Sequence, residues 1–273
     1  MNKLIVTPNE ITEDLAYLCG MLLGDGHLSH RKDKNDYSVK CVGNPADEVE
    51  LYDDVIAPLF QEIFNVDVKP KIRDSGTTYG IEIHSKCIVK FLSERIGIPI
   101  GAKSGIIEIP DVFKGNSDII RSFICGFADA DFCFTLKRRY KNIQYYPVIE
   151  GGSKSRKIME QISEYLEGMG FKISRDFDRP VYDDRIKKSV TVHRLNIYGH
   201  RQLVLWMNLI GTKNPKNKER FELWRKRNVD NPRARDLIAG VGFEFVDGVP
   251  VGKPSPTTSG SLKRPYEPFA VCH

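Results

Sequence analysis

Cys19, Cys41, Cys87, Cys125, Cys133 and Cys272 include no Cys-x-x-Cys pair, and two of them sit inside apolar helical stretches where a small side chain is wanted. They read as reduced, structural thiols of an intracellular protein. No G-x-x-x-x-G-K-[ST] sequence is present, so nothing supports nucleotide hydrolysis. Residues 1–14 contain acids and lack both an apolar core and an arginine-rich face, which gives no secretion or transit signal. The apolar run 15–23 is far too short to span a membrane. Net charge is only +5 over 273 residues. That is less than binding by bulk charge alone would need, and it is compatible with a basic face balanced by an acidic one.

What is present is a repeat. Leu18-Cys19-Gly20-Met21-Leu22-Leu23-Gly24-Asp25-Gly26 returns 106 positions later as Ile124-Cys125-Gly126-Phe127-Ala128-Asp129-Ala130-Asp131-Phe132. Each copy is an apolar helical stretch that ends in an acid. A helix C-terminus carries partial negative charge, so a carboxylate there is disfavoured by a few tenths to about 1 kcal/mol unless a cation offsets it. Two such acids point to two metal-binding helix ends. A lone Asp-Gly is an ordinary turn signal, and it is the recurrence that gives this one weight. Gly20 with Gly24, and Gly126 with Ala130, have the i, i+4 spacing that puts small residues on one helix face. Two helices meeting there can approach closely and bring Asp25 and Asp131 side by side.

On these residues the chain resembles the LAGLIDADG homing endonucleases, in the form that carries two motifs in one polypeptide. The resemblance implies that Asp25 and Asp131 are the metal-binding, catalytic acids and that Asp129 is the motif's earlier, supporting acid. The repeat also runs on. Ile81-Glu82-Ile83-His84-Ser85-Lys86, followed by Val89, Phe91, Leu92, Ile96 and Gly97, recurs as Leu195-Asn196-Ile197-Tyr198-Gly199-His200, followed by Leu203, Leu205, Trp206, Ile210 and Gly211. Between these anchors Leu51, Val55, Leu59 and Ile63 recur every four residues in one half, and Ile158, Ile162, Leu166 and Gly170 in the other, the last as a helix C-cap.

Each half thus reads as helix, two strands, helix, two strands, helix. The expected fold is α+β, two pseudo-symmetric αββαββα units whose antiparallel sheets form a DNA-binding saddle, as the resemblance implies. The expected boundaries are a first half over 1–97, a linker over 98–115, a second half over 116–228 and a tail over 229–273. Residues 249–268 are rich in Pro, Gly, Ser and Thr, so the tail is expected to be largely disordered. The close Ile210-Gly211-Thr212-Lys213-Asn214-Pro215-Lys216, with Trp224-Arg225-Lys226-Arg227 after it, is similar to archaeal and intein-type members.

After each motif the chain alternates. Leu28 alternates with Ser29 and Arg31, and Phe134 and Leu136 with Thr135, Lys137 and Arg139. A further strand would put Lys69, Lys71 and Arg73 on one face and Val68, Pro70 and Ile72 on the other. Successive strand residues face opposite ways, so equivalent strands of both halves offer a polar, basic surface fit to contact bases and phosphates of double-stranded DNA. Tyr140, Gln144 and Tyr145 lie near the tip of the second hairpin. His27 and His30 would point to opposite faces, which argues against a metal pair. Gly151-Gly152-Ser153 reads as a glycine turn before a helix.

The hard oxygen ligands at Asp25 and Asp131 suit Mg²⁺, with Mn²⁺ as substitute, rather than Zn²⁺. Such ions activate water and stabilise the leaving oxygen in phosphodiester hydrolysis. For the family's basic residue near the scissile phosphate the candidate is Lys154, ahead of the helix that follows the second strand of half two. The matching stretch of half one, Asn44-Pro45-Ala46-Asp47-Glu48, reads as an N-cap, proline at N1 and an acidic first turn, with no lysine. Lys40 is a weak substitute. Phe132 stands where the family has glycine. Its alternation turns it inward, yet its bulk could displace the Asp131 carbonyl.

The leading expectation is a monomeric, site-specific, Mg²⁺-dependent DNA endonuclease with no membrane association. One rival is an RNA-binding maturase that helps its host intron fold without the acids. Another is a catalytically silent DNA-binding protein, which Phe132 motivates. The chain begins at Met1 and ends Val271-Cys272-His273 without a His-Asn splice end, which disfavours an intein and leaves open excision from a larger host.

Overall fold

The computed structural model describes residues 4–139, 143–184, 186–239, 243–246 and 249–252, with backbone only at 139, 143–145, 233, 236, 239, 243–246 and 249–252. Thr12 starts the first helix by accepting the Leu15 N–H through its side chain (3.2 Å). That helix, α1 (Glu13–Gly24), is buried over nine consecutive residues. A helix apolar all round belongs in a core.

β1 (Gly26–Arg31) and β2 (Asp36–Gly43) form a hairpin. α2 (Val49–Leu51), a π-helical stretch (Tyr52–Ile56) and α3 (Ala57–Phe64) then run on as one helix. β3 (Lys71–Arg73) and β4 (Thr78–His84) follow, and α4 (Lys86–Lys90) continues into a second π-helical stretch (Phe91–Ile96). The second half repeats the order with α5 (Ser117–Asp131), β5 (Phe132–Arg139), β6 (Ile143–Ser153), α6 (Arg156–Gly168), β7 (Ile173–Asp183), β8 (Lys188–Tyr198) and α7 (His200–Leu209). The basic helix α8 (Pro215–Asn228) follows, capped by the Asn214 side chain.

Both four-stranded sheets are antiparallel and share one topology, β1-β2-β4-β3 and β5-β6-β8-β7. The α+β expectation of two matching units holds. One face of each sheet is apolar: Leu28, Val39, Cys41, Ile81 and Ile83 in the first, Phe132, Phe134, Ile149, Leu195 and Ile197 in the second, all buried in one continuous core. Gly170, at φ +91, ends α6 as expected, with the Phe171 N–H donating to the Leu166 carbonyl (3.0 Å).

Four local expectations change. Lys69 precedes β3 rather than lying on it, and Ile72 is 64% exposed instead of core-facing. Three residues at an outer sheet edge give alternation too little to act on. Asn44 caps nothing helical: its side chain accepts the Ala46 N–H (3.0 Å) in a turn, and the helix begins at Val49. Gly151 and Gly152 are strand residues, paired with Phe132 and Arg194. In the tail, α9 (Pro232–Ala239) is helical, and β9 (Phe243–Val246) pairs with β10 (Val249–Gly252). Of the 229–273 tail expected to be largely disordered, 240–242, 247–248 and 253–273 lie outside the described residues.

Candidate active site

The site begins with the seam between α1 and α5. A Cβ on Gly20 would lie 2.3 Å from the Phe123 carbonyl oxygen, and one on Gly126 would lie 2.0 Å from that of Tyr17. Neither position accepts a side chain at this spacing, so glycine is what lets the two backbones touch. One turn further on, a Cβ at Gly24 would stand 2.4 Å from the Ala130 Cβ and 3.4 Å from the Asp131 carboxyl carbon. The two helix ends therefore bring Asp25 and Asp131 together, as the repeat suggested.

A cation from the 98–115 segment reaches the same helix end. The Lys103 ammonium donates to three carbonyl oxygens at the end of α1, those of Leu22 (2.8 Å), Leu23 (2.5 Å) and Gly24 (2.6 Å). Leu23 and Gly24 are among the acceptors that a helix C-terminus leaves unpaired, while Leu22 also accepts the Asp25 N–H. Burial, then repulsion from Asp131 and Glu48, pushes the Asp25 carboxyl up to about 8, against the pull of Lys103 and Lys216. Burial pushes the Asp131 carboxyl up to about 6, opposed by Lys103. Burial lowers the Lys103 ammonium's own pKa, opposed by Asp131, Cys41 and Asp25. The acid pair stays short of positive charge even with Lys103 and Lys216 acting on it.

An open cavity of about 390 Å³ on the second-half side is lined by Asp131, Lys103, Ser153 and Lys154. Lys154 reaches it from the bend before α6, with its ammonium 3.9 Å from Asp183. On the first-half side the ammonium comes from the other half. Lys216, in the first turn of α8, binds Glu48 (3.0 Å) and Asp47 (3.2 Å), and Glu48 also accepts the Asn44 N–H (2.7 Å).

Asp129 lies behind the seam and is fully enclosed. Its carboxylate accepts from Tyr17 Oη (2.9 Å), Thr212 Oγ1, Lys213 N (2.7 Å), Asn214 N (3.1 Å) and Asn217 Nδ2 (3.4 Å). It ties α1, α5 and the start of α8 into one unit, which fits a supporting rather than a reacting acid. Phe132 turns away from the acids. Its ring stacks on Trp206 (6.1 Å), meets Phe127 edge-on (6.2 Å) and fills the space a Cβ on Gly151 would need.

The opposite sheet faces are polar and internally paired. Ser29 Oγ and Ser38 Oγ share a hydrogen bond (2.8 Å), Arg31 binds Asp36 through Nε (3.0 Å), and Arg73 binds Glu82 (2.7 Å). Lys71 and Lys69 are exposed. Lys40 is held by both Asp74 oxygens (2.6 and 2.8 Å), which removes it from the acid pair. In the second half Thr135 donates to the Val148 carbonyl (3.4 Å) and Lys137 binds Glu150 (2.5 Å). The Arg139, Gln144 and Tyr145 side chains and all of Tyr140 lie outside the described residues. His30 stacks on Tyr37 (3.8 Å), and His27 is exposed on the other face. Lys103 and Lys216 were absent from the sequence-based candidates. For Lys103 alone a signal existed: Ile100-Gly101-Ala102-Lys103 resembles Ile210-Gly211-Thr212-Lys213, four residues out of step with the longer repeat.

No family model matches the sequence. Among curated proteins the chain is 28% identical over 125 residues to a glutamine–fructose-6-phosphate aminotransferase of Methanocaldococcus jannaschii, covering 45% of this chain and 10% of that one. It is 25% identical over 216 residues to a reverse gyrase of the same organism, covering 78% and 12%. The chain thus spans about a tenth of the length of the curated relatives it matches. Among solved structures it superposes on the homing endonuclease I-DmoI in complex with DNA and Ca at TM-score 0.52 and 20% identity, covering 78% of this chain and 98% of that one. A substituted I-DmoI with its target DNA nicked in the coding strand, in the presence of Mn, gives TM-score 0.52 and 22% identity over 74% and 96%. Two units of one topology joined at a glycine seam, matched over nearly the whole of those enzymes, give this chain the fold of the LAGLIDADG homing endonucleases.

Proposed function

We propose that the chain is a site-specific, divalent-metal-dependent DNA endonuclease that acts as a monomer on a long double-stranded target. The observation that carries this reading is the pair of half-buried carboxylates, one from each half, brought together at the ends of the α1–α5 seam. Burial leaves both acids reluctant to ionise, the electrostatic condition of a site that gains from a cation. Among the described residues no group of three or more His, Cys, Asp or Glu could enclose an ion. Two carboxylates are the usual protein share for Mg²⁺, which keeps water and takes substrate phosphate oxygens to complete its shell. Asp25 and Asp131 would hold Mg²⁺ or Mn²⁺, and the bound ion would supply water activation and leaving-group stabilisation.

The chain's own residues do the rest. Lys103 fixes the end of α1 and shares the negative charge of the acid pair. Lys154 stands where a phosphate entering the second-half cavity would meet an ammonium, and Lys216 supplies the equivalent charge to the first half. Ser29, Arg31, Lys69, Lys71 and Arg73, with Thr135, Lys137 and Arg139, would contact backbone and bases, and Arg31, Arg73 and Lys137 would exchange their present carboxylate partners to do so. The I-DmoI structures, described with target DNA and with Ca or Mn, support the same class of activity. The aminotransferase and gyrase chemistries are not carried over, since two unlike enzymes share only this small fraction with the chain. Among the described residues no helix is long and apolar enough to cross a membrane, and the setting that follows from this reading is an intracellular one, beside a genome.

Selection from randomised double-stranded DNA, run once with Mg²⁺ and once with Ca²⁺, tests the proposal. The expected result is discrete cut products in Mg²⁺ and retained, uncut DNA in Ca²⁺. Retention without products in Mg²⁺ identifies a silent binder, and a parallel selection from structured RNA that retains RNA where no DNA is retained identifies a maturase.

A further inference from the structure

The two polar faces are built alike and charged differently. Two residues beyond each motif acid, a row of directly opposed residues crosses the sheet: His27, Lys40 and Glu82 in the first half, Cys133, Glu150 and Asn196 in the second. Opposed residues on antiparallel strands point to one face. Their neighbours Val39, Cys41 and Ile81, and Ile149, Leu195 and Ile197, are buried on the other. Lys40 and Glu150 therefore hold the same place on the second strand of each half, with opposite charge.

Neither residue belongs to the core. The Lys40 and Glu150 side chains are 27% and 35% exposed. The partner of Glu150 comes from a distance: Lys137 pairs in register with Tyr146, two rows away, and reaches back over Val148, which is 2% exposed. A long lysine stretched across a partly open face to one carboxylate adds little stability, and it exchanges readily for a phosphate. That exchange would leave Glu150 facing the groove as an acceptor without a donor.

In the major groove cytosine presents an N4 amino donor, whereas guanine presents N7 and O6 acceptors that repel a carboxylate and suit a lysine. We propose that Glu150 is a base-reading residue that selects cytosine in the half-site under the second sheet. The equivalent place in the other half-site meets Lys40, so the target departs from palindromic symmetry at that pair of positions. This inference rests on the DNA endonuclease reading and adds to it the base that one residue specifies.

The test is selection of randomised duplexes by retention in Ca²⁺, for the parent chain, Glu150→Gln and Lys137→Met. The parent should enrich cytosine about tenfold at one half-site position. Glu150→Gln should lose that preference at that position alone, and Lys137→Met should weaken retention of all sequences while keeping it. An unchanged cytosine preference in Glu150→Gln, or its loss in Lys137→Met as well, would overturn the assignment and leave Glu150 as a countercharge. If the parent enriches no position at all, the DNA-targeting reading fails and takes this one with it.

Discussion

Replacing Asp25 by asparagine should make the metal-free protein more stable, although it removes a residue of the acid pair. The unfolded chain releases the Asp25 proton near 3.8, and the fold keeps it up to about 8. The fold therefore binds more protons throughout that interval, and stability falls as the pH rises from about 4 to about 8. Asp131, raised to about 6, adds a smaller fall over the lower part of the same range. At full burial the Asp25 shift corresponds to about 4 kcal/mol near neutral pH, and a side chain partly open to water retains about half, ~2 kcal/mol. For a domain of this size that is about 4–8 °C in thermal midpoint. Mg²⁺ binds the ionised form and should reverse the trend in the parent protein. The assay is thermal unfolding over about pH 5 to 9, in chelator and in Mg²⁺. In chelator Asp25→Asn should unfold higher than the parent at pH 8, with a flatter pH profile and a smaller response to Mg²⁺. A parent midpoint that stays level or rises over this interval, or an Asn variant that keeps the parent's slope, would refute the claim that these acids are short of positive charge.

The glycine seam predicts that Gly126→Ala lowers the thermal midpoint sharply, since overpacking costs about 1–3 kcal/mol. Gly168→Ala, whose Cβ would meet nothing within 4 Å, should leave it level or higher, and equal losses would deny the close contact. Lys103→Met takes the donor from the Leu23 and Gly24 carbonyls, leaving that of Leu22 with the Asp25 N–H, and should cost about 1–3 kcal/mol in urea denaturation. An unchanged urea midpoint would mean that water caps α1 equally well. Phe132→Ala should cost about 3–5 kcal/mol, as expected for a buried ring, without accelerating cleavage; faster cutting would return Phe132 to the acid site. On strand-specifically end-labelled target, Lys154→Met and Lys216→Met should slow opposite strands, and equal slowing of both strands by either variant would contradict two chemically distinct centres.

The helix and strand order was legible because the chain states it twice, and agreement between two copies outweighs the ambiguity of any one apolar run. The meeting of Asp25 with Asp131 was legible for a narrower reason: glycine at i and i+4 is unusual in a helix unless another backbone passes there. Lys103 was hidden because a segment without periodicity reads as a tether, whereas its ammonium finds the unpaired end of α1. Lys216 was hidden by distance along the chain, since it meets Glu48 from 168 positions away. The stretch 44–48 misled through its composition. Asparagine, proline and two acids suit a helix start, but the same Asn side chain closes a turn equally well, and the tertiary partner of Glu48 decided the outcome. Lys40 looked available on its strand because sequence does not show that Asp74, in the next hairpin, folds back onto it.

The seam also determines which halves can pair. Where Gly24 of one half faces Ala130 of the other, a second methyl would stand 2.4 Å from the first. Two copies of the second half set against each other would meet alanine to alanine and be forced apart. Two copies of the first half would meet glycine to glycine, with room to spare. One methyl group thus discourages self-association of the second half at this spacing and favours the mixed pair, a selectivity against the wrong partner built into the helix that carries Asp131.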